Sequence, residues 1–267
     1  MDFKFTEEHN MLRAMVRKFV DQDVKPLAAK IDKEKEIPDE LLKKAAELGL
    51  MGIPFPEEYG GSELGETGAC IMLEELGHGC ASTAVTISAH QSLACSSIFF
   101  DGTDEQKENY LVPLAKGEKL GAFALTEPQA GSDAASIQTS AVRDGDYFVI
   151  NGTKIWITNG SNADIIVVFA VTDPAKGARG GVSAFIVESS TPGFKVGTIE
   201  EKMGIRGSTT AELIFEDMKV SMDNMLGVYG AGFITAMKAL DVGRLSLGAA
   251  SLGASKELLD LSLKFAK

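Results

Sequence analysis

Apolar residues recur at Met11, Leu12, Met15, Val16, Phe19 and Val20, the spacing that gives a helix one buried stripe. Thr6 offers a side-chain oxygen as N-cap of that helix, and Pro26 marks its expected stop. Leu41, Leu42, Ala45 and Leu48 share the face of a second helix, with Gly49 as terminator. PFPEEYGGSE reads as a loop. From Thr67 to Phe100 the chain is rich in Ala, Leu, Ile and Ser and poor in charge, which predicts long helices packed in the interior. TDEQKENYLVPLAKG adds an amphipathic helix, capped by Thr103 or Asp104 and ending near Pro113.

The period then changes. In QTSAVRDGDYFVINGTKIWITNG, Asp144-Gly145 and Asn151-Gly152 lie between β-branched and aromatic residues, a pattern that predicts hairpin turns. Further strands are expected in IIVVFAVT, VSAFIVE and AELIFEDMKV, separated by turns in PAKGARGG and STPGF. After GVYGAG, helical periodicity with abundant small residues returns and runs to Lys267 without a Gly or Pro ending. The chain therefore reads as α+β: an all-helical region 1–118, an antiparallel β-domain 119–225 forming a sandwich or barrel, and the beginning of a helical bundle at 226–267. This order differs from the strand-helix alternation of a doubly wound nucleotide-binding fold.

Composition narrows the chemistry. With 267 residues, more than one compact unit is expected; 45% hydrophobic and 24% charged residues are those of an ordinary globular protein. A net charge of −12 argues against a reader of nucleic-acid backbones, which needs clustered cations. No stretch has the apolar length of a membrane span, and MDFKFTEEHN carries no export signal, so a cytoplasmic protein is expected; a processed mitochondrial form would look the same. Cys70, Cys80 and Cys95 are expected as core thiols. His9, His78 and His90 lack ligand spacing along the chain, and no metal site is expected.

Gly227, Gly230 and Gly232 do not form Gly-x-Gly-x-x-Gly and fit a turn into the next helix. No Walker-type loop is present. FALTEPQAGSDAAS is more informative: Glu127 precedes Pro128 and is pushed toward an extended backbone, while Ala130-Gly131-Ser132 brings N–H groups and a hydroxyl together. Taken alone, the stretch fits a capped surface turn as well as an anion cradle. Trp156-Ile157-Thr158-Asn159-Gly160 ends a strand with an aromatic, a hydroxyl and a turn; singly, Trp156 is expected at a core position more often than at a stacking surface.

Together and in this order, FALTEPQAGSDAAS, TKIWITNGSNADI, KMGIRGSTTAELIFEDMKV and ALDVGRLSLGAASLG resemble the acyl-CoA dehydrogenase family, in particular its short-chain, butyryl-CoA-like members. The resemblance extends from Phe3 to Lys267. It implies FAD, an acyl-CoA thioester as substrate, trans-2-enoyl-CoA as product, electron-transferring flavoprotein as acceptor and a homotetrameric assembly. It implies that Phe123, Ala124, Leu125, Thr126, Glu127, Pro128, Gly131 and Ser132 line the flavin and its pyrophosphate, with Ser132 also touching substrate. Trp156, Ile157 and Thr158 would flank the ring, and Asp241, Val242, Gly243 and Arg244 would meet the CoA moiety. A flat ring needs apolar and aromatic walls, and its heteroatoms need neutral hydrogen-bond partners.

The sequence also departs from the family. The resemblance places the usual catalytic Glu in sequence beyond Lys267, and Gly243 stands where some members carry that base instead. No catalytic residue is assigned. Glu127 is expected to serve local structure rather than proton abstraction. The rival readings are an enoyl-CoA reductase running the same chemistry in reverse, an acyl-CoA oxidase, and a non-catalytic FAD- or CoA-binding partner protein.

Overall fold

The structure is a computed structural model that describes residues 4–267. Helix α1 (Glu7–Phe19) starts where Thr6 Oγ1 accepts the N–H of His9, and it buries Leu12, Val16 and Phe19. Pro26 does not stop the chain, contrary to expectation. The backbone widens into a π turn at Val20–Val24 and tightens over Lys25–Leu27, with Pro26 in the first turn of that segment, before α2 (Ala28–Glu34). The wide π turn immediately before it absorbs a proline, whose ring and missing N–H would break an α-helical ladder. Helix α3 (Asp39–Glu47) buries Leu41 and Ala45, and Gly49 supplies the left-handed residue after it (φ +72°).

The uncharged stretch forms α4 (Gly65–Gly79) and α5 (Ala81–Ser88), wide turns over Ala89–Cys95, and α6 (Ser96–Asp101). Most of its side chains are buried, as an interior helix requires. Cys80 and Cys95 are core thiols, whereas Cys70 is only half-buried. Thr103 caps α7 (Asp104–Gln106) in a reciprocal capping box with Gln106. Pro113 sits in the first turn of α8 (Val112–Ala115) and does not end it; the reversal comes at Gly117 (φ +71°).

Eight strands follow in one sheet: β1 (Gly121–Ala124), β2 (Ser140–Asp144), β3 (Tyr147–Thr158), β4 (Ile165–Val171), β5 (Val182–Glu188), β6 (Phe194–Ile199), β7 (Thr210–Ser221) and β8 (Met225–Leu226). The order is β6-β7-β3-β2-β4-β5-β8, with β1 paired to β4. Most neighbours are antiparallel, but β1 runs parallel to β4, and the sheet does not close. Helices take the place of a second sheet: Ile165, Val167, Phe169, Ala184 and Ile186 share a core with Leu111, Leu114 and Ala236. The other face of β4 and β5 packs on Phe148, Ile150, Leu213 and Phe215. Both strands are thus buried on two sides and read as near-continuous apolar runs, broken in β5 by the buried Ser183.

Asp144-Gly145 turns the β2–β3 hairpin, with Asp144 opposite Tyr147. Asn151-Gly152 does not form a turn. It lies inside β3 where the register against β7 slips. A side chain at Gly152 would meet Thr139 Oγ1 at 2.5 Å, and Asn151 exchanges two hydrogen bonds with Asp217. The dipeptide marks a bulge instead. After the one-turn helix α9 (Ala178–Gly181) between β4 and β5, the chain leaves the sheet through α10 (Gly232–Ala266), which lies along α4.

His90 joins the helices to the sheet. The N–H of Gly121 donates to its Nδ1 at 2.9 Å, and its Nε2–H donates to the carbonyl of Leu114 at 3.1 Å. Both nitrogens are satisfied only by the neutral ring. Burial pushes its pKa down to about 4. The unfolded chain therefore binds a proton that the native state refuses, so the contribution is complete above about pH 6.5 and is lost as pH falls toward 4. We expect unfolding free energy to fall by up to about 3 kcal/mol over that window from this group. Urea titrations at the two ends, compared with His90→Gln, check it: the variant should show a flatter pH dependence.

Candidate functional site

A cleft of about 420 Å³ opens between the end of β1, the loop after it, the end of β3, the wide turns and α10. An adjoining hollow of about 250 Å³ shares Ala89, Leu93, Thr158, Leu240 and Arg244 with it.

One wall is the stretch after β1. Phe123 packs on Phe169 with ring centroids 4.8 Å apart. Glu127 and Ala130 exchange two backbone hydrogen bonds, at 3.1 and 3.0 Å, and close a tight turn that leaves Pro128 in solvent. Gly131 and Ser132 emerge on the cleft side, and open space faces the Gly131 Cα. The turn is braced from behind by Lys154, which is fully buried; its Nζ lies 2.7 Å from Glu127 Oε1 and 3.0 Å from the Leu125 carbonyl.

The opposing wall is the end of β3. A second register slip against β7, between Lys154 and Ile157, puts Trp156 on a bulge. Trp156 takes φ +57°, a left-handed conformation that is a genuine outlier for a bulky residue, and the residue is 60% exposed. It is therefore a surface ring beside the cleft and not a core residue. Asn159 is also left-handed (φ +64°); its amide donates to the carbonyls of Thr86 and Gly121 and fixes the strand end to both the helices and β1.

The lining is apolar and aromatic with neutral hydroxyls: Thr126, Ser132 and Thr158 stand among Phe123, Leu125, Trp156 and Ile157. Arg244 is the charged group of this lining, and no carboxylate lines either hollow among the described residues. Glu127 does not supply one. Burial alone would raise its pKa, but the Lys154 charge, with hydrogen bonds from Lys154 and the N–H groups of Thr139 and Gln138, holds it below its ordinary value. Its two oxygens accept from Lys154, Thr139, Gln129 and Gln138, which occupies about all the sites a carboxylate has. Burial in turn lowers Lys154 to about 8, against the opposing pull of Glu127.

Of the residues the sequence singled out, Phe123, Leu125, Thr126, Gly131, Ser132, Trp156, Ile157, Thr158 and Arg244 converge on the cleft. Gly243 lines the adjoining hollow, where a side chain would meet Leu93 Cδ2 at 2.7 Å. Five others stand elsewhere. Ala124 faces the interior of the sheet, Glu127 and Pro128 lie behind and outside the wall, Val242 is outside the lining, and Asp241 is exposed and paired with Arg244 at 2.7 Å. Sequence reasoning missed Lys154 and the lining residues Ala89, Leu93, Ala134, Met237 and Leu240. Lys154 had one signal: it falls in the inward phase of β3 with Phe148 and Ile150, where a lysine needs a buried partner.

Distance along the chain also hid one cluster. His78 Nε2 lies 3.3 Å from both Glu257 and Asp260 across the α4–α10 contact, a group that could hold a metal ion. Lys25 already stands 3.0 Å from Glu257 and balances part of its charge.

Residues 6–118 match the family model of the acyl-CoA dehydrogenase N-terminal domain, and residues 122–218 match that of the middle domain. The short-chain specific acyl-CoA dehydrogenase of Clostridium acetobutylicum is 53% identical over 95% of this chain and 66% of its own length. The acryloyl-CoA reductase (NADH) of Anaerotignum propionicum is 48% identical over 99% of this chain and 67% of its own. Among solved structures, butyryl-CoA dehydrogenase from Megasphaera elsdenii superposes with a TM-score of 0.96 at 43% identity, covering 100% of this chain and 70% of that one. The chain thus spans about two thirds of the length of the relatives it matches. Among the described residues, no helix is long and apolar enough to cross a membrane.

Proposed function

As the chain belongs to the acyl-CoA dehydrogenase family, we propose that the cleft holds FAD and that the protein dehydrogenates a short-chain acyl-CoA thioester to the trans-2-enoyl-CoA. Electron-transferring flavoprotein is the proposed acceptor, and a homo-oligomer the proposed assembly. The observation that carries the reading is the convergence of two walls separated in sequence on one lining of apolar, aromatic and neutral hydroxyl groups. That donor set suits a flat heterocycle: apolar walls exclude water, and uncharged hydroxyls meet its heteroatoms without fixing a charge. In this reading Thr126, Trp156, Ile157 and Thr158 hold the ring, Gly131 and Ser132 the pyrophosphate, and Gly243 and Arg244 lie toward the CoA moiety. Asp241 and Val242 are assigned no contact, because neither lines the cleft. FAD, when bound, accepts the hydride from the β-carbon of the thioester.

The proton on the neighbouring carbon needs a carboxylate base. No described residue of the lining offers one, and the reading assigns the base to a part of the full-length protein outside residues 4–267. The reverse reaction is the second reading, favoured by the likeness to an acryloyl-CoA reductase. The same walls serve either direction. Turnover of the full-length protein with each of an acyl-CoA and an enoyl-CoA separates the two; peroxide release would mark an oxidase, and no turnover with either would mark a non-catalytic binder.

Titration of the full-length apoprotein with FAD tests the cofactor assignment, with Trp156→Gly as the informative variant. Glycine relieves a left-handed backbone that costs roughly 1–2 kcal/mol and gives up partial contacts of similar worth, so stability should change by no more than about 1 kcal/mol. Loss of an aromatic stacking surface is worth about 1–3 kcal/mol, so FAD affinity should fall about fivefold or more. Unchanged affinity would remove Trp156 from the site.

A further inference from the structure

We infer that Lys154 and Glu127 form a positioning pair that sets the two walls of the cleft in register, an inference that rests on the flavin reading above. Side-chain exposure is 0% for Lys154 and 2% for Glu127, and neither residue lines the cleft. Each nevertheless reaches the backbone of a wall-forming segment. Lys154 donates to the Leu125 carbonyl at 3.0 Å, and Glu127 gathers the N–H groups of Gln138 at 2.6 Å and Thr139 at 3.0 Å. The ion pair therefore joins the two ends of the Leu125–Thr139 loop to β3. One residue on, the N–H of Ile155 donates to the Thr126 carbonyl at 2.9 Å, and the next residue is the strained Trp156.

A strained residue persists only where its surroundings over-determine it. On the near side of Trp156 those surroundings are Lys154 and Ile155, both tied to the loop that carries Thr126, Gly131 and Ser132. On the far side they are Ile157, which is buried, and Asn159, which is tied to Thr86 and Gly121. A buried ion pair is a poor device for stability, since a well-packed apolar pair of the same volume often does as well. It is a good device for fixing a distance, because breaking either end leaves a charge unpaired. Lys154 and Glu127 touch no reacting atom in this account; they act through Leu125, Thr126 and Trp156.

The test uses the full-length protein with Lys154→Met, Glu127→Gln and the double variant, reading melting temperature, FAD affinity and the circular dichroism of bound flavin. Lys154→Met should lower the melting temperature and weaken FAD by about tenfold or more, because the rigid cradle is lost. The double variant removes both charges, and the single amide oxygen introduced by Glu127→Gln keeps one of the N–H groups of Gln138 and Thr139, which bind different carboxylate oxygens. It should regain part of the melting temperature lost in Lys154→Met, since no buried charge is left unpaired, but neither the affinity nor the dichroism, since the tie to the Leu125 carbonyl stays broken. Should Lys154→Met fail to fold, Glu127→Gln and the double variant carry the same comparison. A double variant with wild-type affinity and dichroism would overturn the positioning role and leave only a buried brace. A wild-type protein that takes up no FAD would instead overturn the flavin reading itself.

Discussion

Valine at Gly253 is expected to pry α10 from α4 and lower stability by about 3 kcal/mol or more. A side chain at Gly253 would stand 1.9 Å from the carbonyl oxygen of Glu74, and one at Gly77 2.3 Å from that of Ala250. The two helices meet backbone to backbone at these positions, and no rotamer change relieves a clash with a carbonyl. The opposing case lies on the same helix. Gly248 has open space where a side chain would stand, so Gly248→Ala should be neutral or stabilise by up to about 1 kcal/mol through helix propensity. Denaturant melts of both variants check the pair. Because α10 also carries Met237, Leu240 and Arg244 to the cleft, Gly253→Val should weaken ligand binding as well.

Much of this architecture was legible because local rules and tertiary context agreed. The stripe from Leu12 to Phe19, the cap at Thr6 and the twice-buried runs of β4 and β5 each demanded one element. The misreadings came where a residue has two structural uses. Pro26 and Pro113 each follow a π turn whose widened ladder accommodates a proline within a continuing helical run, and Asn151-Gly152 made a bulge because Thr139 leaves no room for a side chain. Strands β1 and β6 were hidden for another reason. GAFA is short, and FKVGTI has too few apolar positions to alternate, so their pairing with β4 and β7 comes from neighbours far along the chain. At the site, motif order brought out both walls, while Met237 and Leu240 became visible only when α10 was placed, and the phase of β3 turned Lys154 inward without naming its partner. The left-handed Trp156 is a backbone property that no composition reports.

The second large effect concerns the 267-residue chain used alone. Its cleft is lined by hydroxyls, apolar groups and Arg244, with no carboxylate among the described lining residues. Loss of a general base costs about 10²–10⁴ in rate, so enoyl-CoA formation should fall below that of the full-length protein by at least about 10². The same chain exposes Leu258, Leu259, Leu261, Leu263 and Phe265 along the last turns of α10. An apolar surface of that kind drives association, so sedimentation should show species that grow with concentration. A monodisperse monomer that turns over butyryl-CoA would contradict both expectations.

We propose that the two walls around Thr126 and Trp156 hold a flavin which takes hydride from a short acyl-CoA. The most direct test of that reading is the visible absorbance of the full-length, FAD-loaded protein titrated anaerobically with butyryl-CoA. The oxidised flavin band should bleach as butyryl-CoA is added, and the enoyl-CoA should appear in step. A flavin band that stays unbleached in a correctly folded, fully loaded protein would contradict it.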